Sequence, residues 1–93
     1  MTQINDYETI SLTANEVVAR EVRIASAGVY QAEVSIMNIG DSDVLINNTG
    51  DFTDGKYITL PANTAINNKK FLNALKLYFK ADGSDGKVVV SID

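Results

Sequence analysis

The sequence predicts an all-β fold, an antiparallel β-sandwich or small barrel of about seven to eight short strands. Three observations carry this. Short segments alternating polar and apolar residues recur along the whole chain. Clusters of Gly, Asp, Asn and Ser separate them at short intervals. No stretch sustains the 3.6-residue period of a long helix.

"ETISLT" (Glu8 to Thr13) puts Ile10 and Leu12 on one face. "EVVAREVRIA" (Glu16 to Ala25) puts Val18, Val22 and Ile24 on one side, with Arg20 interrupting. Its Ala, Glu and Arg suit a short helix, but the valines and isoleucine favour a strand. "YQAEVSIMNI" (Tyr30 to Ile39) reads as a longer strand, "GDSD" (Gly40 to Asp43) as a turn and "VLINN" (Val44 to Asn48) as a return. A loop, "TGDFTDG", leads to "KYITL" (Lys56 to Leu60), which stops at Pro61 because proline cannot donate to a ladder. "PANTAINNKKFLN" (Pro61 to Asn73) leaves a short strand, a helical turn and an extended loop open. "ALKLYFK" and "KVVVSID" close the chain as two strands. With no repeat or linker, residues 1–7 read as an N-terminal arm and residues 8–93 as one domain.

The residue inventory narrows the chemistry. The 93 residues contain neither Cys nor His. Disulfides, thiolate metal sites, histidine general bases and nucleophilic triads are thereby removed. A net charge of −4, with 8 basic residues scattered among 12 acidic ones, argues against a nucleic-acid partner. The apolar runs are too short to cross a membrane as a helix. "MTQINDYETI" lacks the basic and apolar regions of a secretory signal, so the expectation is a small protein used without signal-directed export.

"KADGSDGKVVV" (Lys80 to Val90) is the densest cluster of acids and glycines. Matching the apolar faces of the last two strands pairs Phe79 with Val88, Leu77 with Val90 and Leu75 with Ile92. That register pairs Asp82 with Asp85 and leaves Gly83-Ser84 as a type II′ hairpin turn. A calcium site needs five or more converging oxygens, and "DGSDG" lacks the spacing of an EF-hand loop. "GDSD" and "GDFTDG" likewise read as ordinary turns. Convergence of several acidic turns on one ion stays open, as does a paired-carboxylate hydrolase, but no catalytic, metal or cofactor-binding residue is assigned and no cofactor is expected.

The middle strand carries Val34 and Ile36 on one face and Met37 and Ile39 on the other. Its neighbour has Val44 and Ile46 on one face and Leu45 on the opposite one. A strand apolar on both faces is covered twice, either by its own chain (Pro61 to Asn73, for instance) or by a partner. The hairpin register sets Tyr78 beside Val89 on the face away from the core. Met37, Ile39, Tyr78 and Val89 are therefore the candidate interface residues.

Taken together, "VSIMNIGDSDVLINNTG", "GKYITLPANTAI" and "LKLYFKADGSDGKVVVSID" resemble small β-sandwich virion proteins of tailed bacteriophages, which decorate or reinforce capsids or form fibre attachments. The resemblance covers roughly residues 30 to 93 and has no catalytic signature, so it transfers no functional residue. It implies a non-enzymatic structural protein, made in the host cytoplasm and located in the virion. Its expected partners are capsid or fibre subunits in a multi-copy assembly. The rival expectation is a carbohydrate- or calcium-dependent adhesion module.

Overall fold

The computed structural model describes residues 7–22, 24–26, 29–72 and 76–92. The expected arm lies outside these residues except for Tyr7, which opens the first strand. Among the described residues, nine strands run in chain order: β1 (Tyr7–Leu12), β2 (Val17–Glu21), β3 (Ile24–Ser26), β4 (Val29–Asn38), β5 (Val44–Asn47), β6 (Ile58–Leu60), β7 (Ala65–Leu72), β8 (Lys76–Ala81) and β9 (Gly86–Ile92). All pairings among them are antiparallel. The all-β sandwich is as expected. The segment expected as one strand around Arg20 divides at Val22 into β2 and β3, which lie in different sheets.

One sheet has the order β2-β8-β5-β6. The other holds β1, β9, β4, β3 and β7. In it, Val34 pairs with both Ile92 and Lys69, so β9 and β7 flank β4, and β3 extends the β9 side. Among the described strands, only the consecutive pairs β3–β4 and β5–β6 lie side by side in one sheet; the members of each other consecutive pair lie in different sheets. The open region after Pro61 is resolved as a strand, since β7 pairs with β4 across a bulge between Val34 and Ile36. There Asn68 takes φ 54° and its N–H donates to Ser35 Oγ at 3.1 Å.

Alternation identified the inward residues correctly. Ile10, Leu12, Val34, Ile36, Val88 and Val90 from one sheet meet Val44, Ile46, Leu77, Phe79 and Ala81 from the other in a single apolar core. The terminal hairpin, however, is not formed. Strand β8 pairs with β2 and β5, whereas β9 pairs with β1 and β4. Phe79 is opposite Val18 and Ile46 instead of Val88, and Leu77 is opposite Arg20 instead of Val90. The expected partner Leu75 lies outside the described residues. Matching apolar parity cannot distinguish two strands side by side from two strands facing each other across a core. Facing wins because each set then buries the other. Gly83 does adopt a positive φ of 88°, but the loop it turns is a crossover between sheets. Gly83 N–H donates to Asn15 Oδ1 at 3.1 Å, Asp82 N–H to Asp43 O at 2.9 Å and Ser42 Oγ to Asp85 O at 2.8 Å.

Candidate functional site

The outer face of the five-stranded sheet is built from aligned rows. One row runs Tyr7–Ser91–Ser35, and the next runs Thr9–Val89–Met37–Ala65. Ile39 follows Met37 with the same parity and is tied to β9 by its N–H donating to Lys87 O at 3.0 Å. Met37 is 52% exposed and Ile39 44%. Beside Met37 the bulge opens a groove of about 210 Å³, with Met37, Val89 and Ala65 as its apolar wall and Ser35, Ser91 and Asn67 as its polar end. Three of the four candidate residues thus meet on one surface.

Tyr78 is not with them. It lies on β8 between Ala19 and Asn47, on the outer face of the opposite sheet, and the expected adjacency to Val89 is corrected. That adjacency depended on the hairpin. With β8 and β9 in different sheets, their outward side chains point away from each other across the whole sandwich. Tyr78 is instead half-buried beneath the chain's own 48–57 loop. A Cβ added at Gly50, which has φ 81°, would approach its ring to 3.1 Å. Phe52 in the same loop lies 5.9 Å from Lys80 Nζ and 6.0 Å from the Tyr57 ring. Leu45, on the same outer face, is buried. For this sheet the cover is internal, and it comes from the 48–57 loop.

Two buried asparagines hold the loops. The Asn38 side chain is fully buried; its Nδ2 donates to Ser42 O at 2.8 Å and Leu60 O at 2.9 Å, and its Oδ1 accepts from Gly40 N–H at 3.1 Å. Asn47 repeats the pattern, donating to Asp51 O at 2.8 Å and accepting from Gly50 N–H at 2.9 Å. Neither role was read from the sequence, where both residues fall near the ends of expected strands. The available signal was an asparagine at the end of an apolar strand, preceding a glycine by two or three residues.

A second cavity of about 260 Å³ opens where β6 and β7 line the seam between the sheets. Ile46, Ile58 and Phe71 form its floor, with Asn48, Lys56 and Tyr57 at its rim. Lys69 Nζ sits 5.9 Å from the centroid of Phe71. The opening follows from strand length: β6 has only three residues and leaves much of the eight-residue β7 unfaced.

Carboxylates in the acidic turns accept hydrogen bonds. Asp85 Oδ1 accepts from Ala14 N–H and Asp54 Oδ1 from Lys56 N–H, each at 2.9 Å. Asp51 Oδ1 accepts from the Thr53 hydroxyl and N–H, and these bonds lower its carboxyl pKa. Among the described residues, no three acids come together as a group able to hold a metal ion. No described helix is long and apolar enough to cross a membrane.

No protein-family model and no curated protein matches the chain. Solved structures do match its fold. A de novo designed double-stranded β-helix superposes with a TM-score of 0.62 at 12% identity, covering 96% of this chain and 100% of the design. A cupin domain of an XRE-family transcriptional regulator from Enterobacter cloacae gives 0.57 at 14% identity, covering 94% and 78%. The Drosophila NLP core, described in terms of pentamer formation and histone binding, gives 0.52 at 19% identity, covering 95% and 97%. The chain is similar to all three in fold.

Proposed function

We propose that this chain is a non-enzymatic structural protein of a virus particle, an auxiliary capsid protein of the bacteriophage decoration type, which docks through the outer face of its five-stranded sheet. The observation that carries the reading is the grouping of exposed Met37 and Ile39 with Val89 beside a groove. An outward apolar cluster flanked by serines and asparagine has the anatomy of an interface: an apolar centre with a polar rim. Many copies docked by such modest patches gain strength through avidity. The pentamer described for the NLP core supports the compatibility of this fold with multi-copy assembly. The experiment is co-sedimentation of the tagged chain with virus particles from cells producing them. Wild type is expected to sediment with the particle and Met37→Glu to stay in the supernatant. Failure of wild type to co-sediment overturns the reading.

The seam cavity favours a second reading, a ligand-binding sandwich, because an apolar floor with a few polar rim groups is the usual form of a small-ligand site. Thermal melts with sugars, and with calcium against chelator, test it. A ligand held by the folded state raises the melting temperature through linkage, and an unchanged melting temperature across both series counts against this reading.

A further inference from the structure

We propose that two copies of this chain pair face to face across the five-stranded sheet, each inserting Tyr7 into the groove beside Met37 of the other. This rests on the reading of that face as an interface and names its occupant in the free protein, which docking on a particle would displace. Among the described residues, Tyr7 is the most exposed large hydrophobic side chain, at 73%, so its ring does not fill the groove of its own chain. It points outward from the same surface, because Ile10 and Leu12 point inward from β1 and it has the opposite parity. The groove holds about 210 Å³, and a cavity of roughly 150 Å³ is enough for a benzene ring. Its walls suit a phenol: Met37, Val89 and Ala65 for the ring, with Ser91 and Asn67 able to bond the hydroxyl.

Protrusion and groove are related by a simple operation. Tyr7, Ser91 and Ser35 lie in one row on adjacent strands β1, β9 and β4, so Tyr7 stands about 10 Å from the groove at the usual strand spacing. A two-fold axis along β9, lying in the plane between the two faces, carries Tyr7 of one copy over Ser35 of the other. Both insertions form at once, which is the condition for a closed, self-complementary dimer. The rows that meet contain Tyr, Thr, Ser, Val, Met and Ala and no acid, so the chain's net charge of −4 does not oppose contact there. The same axis brings the two Lys87 side chains together at one end, giving the pairing a specific salt signature: screening strengthens it.

Sedimentation velocity over a dilution series tests the proposal. Wild type is expected to pair reversibly, more tightly in high salt and in Lys87→Ser. Tyr7→Ala removes the protrusion and Ala65→Gln fills the groove; each is expected to weaken pairing about 30-fold, the scale of a buried aromatic anchor. Both positions are exposed, and unchanged circular dichroism verifies folding. The chain has no tryptophan, so Tyr7→Trp supplies a single emission whose blue shift grows with concentration and is lost when Ala65→Gln is added. A wild type that stays monomeric at millimolar concentration overturns the pairing, as do variants that pair as tightly as wild type. If monomeric wild type still binds virus particles through Met37, the docking reading stands and this one falls.

Discussion

Arg20 Nε lies 3.1 Å from one carboxylate oxygen of Glu8 and 3.2 Å from the other, joining β2 of one sheet to β1 of the other. The arginine that interrupts an apolar face is thus the clasp of one seam. The pair is part-buried, with side-chain exposures of 21% and 28%. A double-mutant cycle with Arg20→Met and Glu8→Gln is expected to give a coupling of about 0.5–1 kcal/mol. The coupling should shrink toward zero near about 1 M salt, where screening is short-ranged. A larger, salt-independent value would mean that the clasp acts as a buried pair.

Asn38→Ala is expected to destabilise the chain by about 2–3 kcal/mol in urea unfolding, because it strands the carbonyls of Ser42 and Leu60 and the N–H of Gly40. A loss below about 0.5 kcal/mol would show that water replaces the amide in full.

Gly50→Ala and Gly55→Ala separate two costs. Both glycines have positive φ, 81° and 76°, but only an added Cβ at Gly50 meets the Tyr78 ring; at Gly55 it meets nothing within 4 Å. Gly55→Ala is expected to cost about 1 kcal/mol from backbone conformation alone. Gly50→Ala should cost more, and the excess should fall in a Tyr78→Ala background.

The Asp51 carboxyl has its pKa lowered, first by the Thr53 hydroxyl and then by the Thr53 N–H. A depressed folded-state pKa contributes stability above the unfolded-state value and loses it as pH falls through the folded-state value. Asp51→Asn should therefore reduce stability at neutral pH more than at strongly acidic pH, a convergence that chemical denaturation at the two pH values can read. Because the group is exposed, the effect is small.

Much of the fold is legible in period-two alternation. Val34, Ile36, Val88 and Val90 point inward as their spacing requires, because a strand with one face in a core must place apolar residues at every second position. Pro61 ends β6 for the reason its missing N–H predicts. The strand β7 was harder to see. "AINNKKFL" alternates poorly because a bulge at Asn68 resets its phase, and Ile66 and Phe71 turn inward at odd separation. The abundance of asparagine also has a structural origin: Asn15, Asn63 and Asn68 occupy left-handed backbone positions and Asn38 and Asn47 tie loops down.

What the sequence by itself determined is the fold class and the direction in which side chains point on the regularly alternating strands, because both follow from local patterning. Neighbours were decided only by the tertiary structure. The same inward residues serve a β8–β9 hairpin or two strands opposed across a core, and the opposed arrangement buries both apolar faces without outside help. That choice moved Tyr78 to one side of the sandwich and left Met37, Ile39 and Val89 together on the other, where the bulge in β7 opened the groove beside them.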